Sequence, residues 1–180
     1  GITATIDKAY GSITFYDVDG CVLLREDQCR PCVLQEKPVL VNTFSGQGEI
    51  TLRQSVDGVR ASADDYETHE ARKAYVCKQS FSFAVEEGLY GLGSHEEGYG
   101  NLRGKTRELY QHNMKAVVPV LVSTKGWGML FDLGCMMVFH DDAEGSYLYA
   151  DCADEMSYYF MAGGYPGVMQ TYAALTGATP

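Results

Sequence analysis

The sequence predicts an all-β fold, an antiparallel β-sandwich with one short helix at its end. Three observations carry this. Short alternating apolar and polar runs recur along the chain, turn signals separate them at about 8–12-residue spacing, and only the last segment has helical periodicity. At 180 residues the chain is long enough for a substantial core. The expected organisation is a sandwich domain over residues 1–163, then a helix and a truncated linker over 164–180.

Residues Ile2 to Ile6 alternate and suit an opening strand. Ser12 to Asp17 and Cys21 to Leu24 flank Asp19-Gly20, a pair that supplies the positive φ of a hairpin turn. Arg25 to Pro38 holds two prolines and reads as a crossing loop. Glu49 to Arg53 reads as a half-buried strand closed by the turn signal Asp57-Gly58. Ser62 to Arg72 carries Asp64, Asp65, Glu67 and Glu70 and reads as a charged loop.

Tyr75 to Val85 alternates clearly, with Phe81, Phe83 and Val85 assigned to one face, and Glu86-Glu87-Gly88 turns the chain. From Leu89 to Asp132 the pairs Gly91/Gly93 and Gly126/Gly128 suit places where backbone approaches backbone or takes positive φ. Strands are expected at Thr106 to His112 and Val117 to Val122. Between them and the first glycine pair lies a polar, glycine-hinged loop, Ser94 to Lys105, the kind of segment that a rigid sheet holds out for function.

Cys135 to Phe139 is apolar enough for burial on both faces. Strands follow at Ser146 to Ala150 and Met156 to Met161, with turns at Asp141 to Gly145 and Asp151 to Glu155. Pro166 suits the first turn of a helix carrying Val168, Met169, Tyr172 and Leu175 and ending at Gly177. Ala178-Thr179-Pro180 reads as a linker cut short.

The 24 acidic and 14 basic side chains give a net charge of −10, which repels phosphate backbones. Arg103, Lys105 and Arg107 form a local cationic patch but no basic stripe, so nucleic acid is not an expected partner. No apolar run approaches the ~20 residues that a membrane helix needs. Thirteen tyrosines and seven phenylalanines keep neutral ligands such as sugars open. Of the six cysteines, Cys29 and Cys32 form a lone CxxC without the second pair or histidines of a zinc site, and without the βαβ context of a redox motif. Unreactive thiols are the plain reading, with metal or redox chemistry as the alternative. Free thiols and the lack of a signal peptide favour a cytoplasmic setting, although the chain starts at Gly1 rather than Met.

His95-Glu96-Glu97 offers imidazole and carboxylates on a glycine-flanked loop, suited to ligand contact more than to acid/base catalysis, since sequence neighbours seldom converge on one substrate atom. His140-Asp141-Asp142 and the group Asp151, Asp154, Glu155 read as polar turns, with cation binding as the alternative for the first and calcium binding or catalysis for the second. Trp127, between glycines, is either a packed aromatic or a sugar-stacking platform. No dinucleotide fingerprint, P-loop, HExxH or nucleophile elbow is present, so no cofactor and no metal site is expected.

Tyr90-Gly-Leu-Gly93, His95, Gly98, Asn101-Leu-Arg-Gly104, Glu108-Leu109, Gln111, Asn113, Pro119, Val122-Ser123 and Lys125-Gly-Trp-Gly-Met-Leu-Phe-Asp132 together resemble glycoside hydrolase family 31, the α-glucosidases and α-xylosidases. Asp154 to Met161 and Tyr172 to Gly177 add to the likeness, which is close over residues 75–180 and loose before them. The resemblance is to the amino-terminal β-sandwich, similar to the galactose-mutarotase fold, which packs on a catalytic (β/α)8 barrel. It implies a retaining mechanism run by two barrel aspartates. The barrel motif of aspartate followed by Met-Asn-Glu is missing from these residues, so the chain alone is expected to be inactive, a piece of a larger enzyme. The resemblance further implies that the Ser94 to Asn101 loop meets the oligosaccharide, with His95, Glu96, Tyr99 and Asn101 as the substrate contacts. A free-standing carbohydrate-binding module and an aldose mutarotase-like enzyme are the rival readings.

Overall fold

The computed structural model describes residues 1–44, 49–63 and 66–178. Among these residues fourteen strands run in order β1 Thr3–Ile6, β2 Ile13–Tyr16, β3 Val22–Glu26, β4 Cys32–Phe44, β5 Ile50–Ser55, β6 Gly58–Ala63, β7 Tyr66–Ser82, β8 Leu89–Gly91, β9 Thr106–Leu109, β10 Val120–Ser123, β11 Trp127–Phe131, β12 Met137–Asp142, β13 Gly145–Ala153 and β14 Tyr158–Ala162. One helix, α1, covers Gly164–Thr176. Among the described residues β1–β2, β2–β3, β3–β7, β7–β13, β13–β12, β12–β9, β8–β10, β10–β11, β11–β14 and β5–β6 pair antiparallel, and the fold is all-β. Among the described residues no helix is long and apolar enough to cross a membrane.

The chain forms two compact units, Gly1–Gln35 with Tyr75–Pro180, and Glu36–Ala74. In the first, the larger sheet has the order β1-β2-β3-β7-β13-β12-β9 and the smaller the order β14-β11-β10-β8. The core lies between these sheets. Leu121, Trp127, Met129 and Phe131 come from the smaller sheet and meet Leu24, Phe81, Leu109, Phe139 and Leu148 of the larger. Two-residue periodicity explains the choice: in β11, Trp127, Met129 and Phe131 point into the core while Gly128 and Leu130 point out.

The outer face of β11 receives α1. Val168, fully buried, packs with Val120 and Met161, and a Cβ on Gly128 would meet Val168 Cγ1 at 2.5 Å. The glycine therefore sets how closely the helix approaches. Of the four apolar positions expected on the helix, Val168 is buried and Tyr172 half-buried, while Met169 and Leu175 remain exposed.

The second unit is a ribbon from the far parts of β4 and β7 with the hairpin β5–β6. Thr68 donates to Asn42 Oδ1 at 2.8 Å, and Lys73 Nζ lies 2.6 Å from Glu36 Oε1. In the hairpin, Leu52 pairs with Ala61 and Arg53 with Arg60, so one face is apolar and the other cationic. Both faces are exposed.

Outside the site the local readings differ from this structure in five places. Of Arg25 to Pro38 only Asp27 to Pro31 is loop: Arg25 and Glu26 end β3 and β4 takes up the remainder; Pro38 is tolerated because that stretch is solvent-exposed. The charged segment Ser62 to Arg72 is mostly strand, its charges marking exposure rather than irregular backbone; Asp64 and Asp65, and Thr179 and Pro180 of the expected linker, lie outside the described residues. Glu49 to Arg53 is exposed rather than half-buried. Val85 leaves the face of Phe81 and Phe83 because β7 stops at Ser82. Cys135 to Phe139 buries one face, Met137 and Phe139, and leaves Met136 exposed.

Candidate functional site

The loop between β8 and β9 is stapled at both ends. Leu92 takes φ 63 and donates its N–H to Val120 O at 2.8 Å. Ser94 and Ala116 exchange both backbone bonds, at 2.8 and 3.0 Å. Glycine is required here: a Cβ on Gly91 would lie 2.3 Å from Val120 O, and one on Gly93 would lie 2.0 Å from Ala116 O. At the far end Leu102, fully buried, donates to Leu89 O at 2.8 Å.

Within the loop the four expected contact residues have distinct surroundings. His95 places Nε2 2.8 Å from Leu92 O, so that nitrogen carries the proton, while Nδ1 is buried without a hydrogen-bond partner among the described residues. Glu96 is exposed. Tyr99 donates its hydroxyl to Thr106 O at 3.1 Å, with the Arg107 guanidinium 4.7 Å from its ring centre. Asn101 uses its side-chain oxygen to accept from Leu89 N at 3.2 Å and Arg103 N at 3.1 Å, closing the base of the loop.

Glu97 completes the cluster. Its carboxylate lies 3.6 Å from Arg107 Nη2 and 3.7 Å from Lys115 Nζ. A hydrogen bond from its own backbone N–H, and then Arg107, Lys115 and His95, hold its carboxyl below the usual range. Arg107 is 5% exposed, and its Nε has no partner among the described residues. Arg107 thus lies under the loop, with the Tyr99 ring and Glu97 over it.

Sequence reading alone missed the neighbouring loop, where Val117 begins no strand until Val120. Gln111 closes it by donating to Lys115 O and accepting from Val117 N at 2.9 Å. Tyr110, His112 and Met114 (φ 66) stand exposed on it, and the Glu97–Lys115 pair and the Ser94–Ala116 bridge tie it to the first loop. The one signal in the sequence was the amide-rich run Gln111-His-Asn113.

Below the loop sits a polar anchor. Asp141 Oδ2 accepts from Arg103 Nε at 2.8 Å and from Gly104 N at 2.7 Å, and Ser146 donates to Oδ1. Burial would push the Asp141 carboxyl up, but these bonds together hold it below its ordinary value. Arg103 also donates to Ala84 O at 2.6 Å and Glu87 O at 2.9 Å. The turn reading of Asp141 is therefore corrected: it is a buried strand residue, and Asp142 serves the turn by accepting from Glu144 N at 2.9 Å. Asp151 likewise belongs to β13 rather than to a turn, and only Asp154 and Glu155 stand at the bend.

Trp127 is fully buried and donates to Glu87 Oε1 at 2.9 Å, beside the Ser123 hydroxyl. It is a packed aromatic and offers no stacking platform, which removes the chief residue of the carbohydrate-binding-module reading. Among the described residues no group of three or more His, Cys, Asp or Glu side chains is placed to hold a metal ion.

The geometry defines a class, an antiparallel β-sandwich whose edge loop is stapled, charged and held out by the core. No family model matches the chain. Its relatives by sequence and by structure are nevertheless glycoside hydrolase family 31 enzymes. An α-xylosidase of Saccharolobus solfataricus is 26% identical over 155 residues, 78% of this chain and 21% of that protein. An uncharacterised family 31 glucosidase of Pseudescherichia vulneris is 26% identical over 171 residues, 94% of this chain and 30% of its own length. The crystal structure of a family 31 α-xylosidase from a soil metagenome, complexed with xylose, matches with TM-score 0.69 and 28% identity over 99% of this chain and 25% of that one. The chain thus spans less than a third of the length of these relatives.

Proposed function

We propose that this chain is the non-catalytic amino-terminal β-sandwich domain of a retaining α-glycoside hydrolase, an α-xylosidase or α-glucosidase. It packs on a catalytic barrel of the same polypeptide and completes the substrate pocket. The observation that carries the reading is the coverage: nearly the whole chain aligns with the soil-metagenome α-xylosidase yet accounts for 25% of that enzyme. Support comes from an apolar groove of about 510 Å³ on the smaller sheet beside α1, lined by Tyr90, Leu92, Val118, Val122, Tyr165 and Met169. Tyr90, Val118, Tyr165 and Met169 are exposed there, and the barrel covers them.

In this reading the Ser94 to Asn101 loop faces the sugar on the leaving-group side. Glu96, exposed on the loop, supplies hydrogen bonds to it, and His95, Tyr99 and Asn101 keep the loop in shape. The test is made in the barrel-containing enzyme. Replacing Glu96 by Ala should raise KM for an aryl α-xyloside or α-glucoside by roughly tenfold, about 1.4 kcal/mol, with the melting temperature unchanged. An unchanged KM for both substrates removes the loop from the pocket.

A further inference from the structure

Two carboxylates adjacent in sequence on the first loop go opposite ways. Glu96 is exposed, whereas both oxygens of Glu97 are turned onto the protein. Oε2 faces Arg107 Nη2 of β9 at 3.6 Å, and Oε1 faces Lys115 Nζ of the neighbouring loop at 3.7 Å. Each oxygen therefore serves a cation from a different element.

Both cations are largely withdrawn from water. The Arg107 side chain is 5% exposed and that of Lys115 12%, against 36% for Glu97. Among the described residues neither has a second carboxylate within ion-pair distance. A desolvated charge has to be paired, and removing its partner leaves it uncompensated. Arg107 is also covered by the Tyr99 ring, and the Tyr99 hydroxyl is held by Thr106 O. The first loop thus lies down on β9 through Tyr99 and Glu97, and the same Glu97 reaches across to Lys115. The backbone exchange between Ser94 and Ala116 ties the two loops at their roots. A single tie would let the loops hinge about it; Glu97, three residues further out, supplies a second and fixes their relative setting.

We propose that Glu97 is a positioning residue that clamps the two loops into one body and so fixes the direction of Glu96. The second half rests on the pocket reading above, in which Glu96 meets the sugar. Glu97 itself is not a substrate contact, because its own backbone N–H, Arg107 and Lys115 occupy its carboxylate. The two glutamates share a planar peptide unit, so holding Glu97 inward sets the backbone from which Glu96 projects.

The test compares Glu96→Ala, Glu97→Gln and the double variant in the barrel-containing enzyme. Glu97→Gln keeps the shape of the side chain and removes its charge. It should speed amide hydrogen exchange in residues 94–101 and in residues 110–116 together. It should also raise KM towards the roughly tenfold of Glu96→Ala, with kcat unchanged. Since Glu97 acts through Glu96, the double variant should have the KM of Glu96→Ala and no more. Three results would overturn the proposal: exchange unchanged in either loop, KM unmoved by Glu97→Gln where Glu96→Ala raises it, or KM losses that multiply in the double variant. If Glu96→Ala itself leaves KM unmoved, the pocket reading fails, and the clamp stands or falls on the exchange of the two loops.

Discussion

Asp141 lies in an acidic triplet that reads as a turn, yet it is the residue on which the loop rests. Its carboxylate accepts from Arg103, Gly104 and Ser146, and so joins the loop base to β12 and β13. Asp141→Asn should lower stability by about 2 kcal/mol, the scale of hydrogen bonds to a charged group, measured by denaturant unfolding. Because its folded value is held below its unfolded one, about 3.9, this carboxyl stabilises fully above pH 4 or so and loses its contribution as pH falls through the folded value. The gap between wild type and Asp141→Asn should accordingly close on acidification below about pH 4; a gap that persists at lower pH would contradict the assignment. Residue type predicted polarity at Asp141 and Asn101 but not direction. Both turn their oxygens towards backbone N–H groups, a choice made by contacts 12 to 38 positions away in sequence.

At the scale of elements, the strands with strong alternation and glycine-marked turns were legible. Asp19-Gly20 closes β2 on β3, with Gly20 at φ 79, and Tyr75 to Ser82 is strand as expected. The failures share one cause. Charge and proline suggest loops, but β4 and the first part of β7 are exposed on both faces, so their side chains carry no core pattern. The glycine pairs were legible because their role is steric. Gly93→Ala places a methyl 2.0 Å from Ala116 O at φ 97, and should cost about 3 kcal/mol. Gly100→Ala, in the same loop with open space around its Cβ position, should leave the melting temperature unchanged. Equal stability of the two variants would show that the staple between Ser94 and Ala116 does not hold the loop.

Across the whole molecule, the fold places an apolar exposed groove on the smaller sheet and beside α1, while the stapled loop emerges from the start of the same sheet at β8. Fold class was legible from spacing alone, and the likeness to family 31 enzymes from a block of motifs concentrated after residue 75. The separate unit of residues 36–74 was not legible, because its exposed strands bury no periodic face. The central claim is that the reactive carboxylates belong to a barrel and that this domain only shapes the pocket. The most direct measurement is p-nitrophenol release from p-nitrophenyl α-xyloside and α-glucoside by the purified chain of 180 residues, beside the barrel-containing enzyme. The account predicts release by the longer enzyme and none by the chain alone; turnover by the chain that survives replacement of His95 and Glu96 would contradict it.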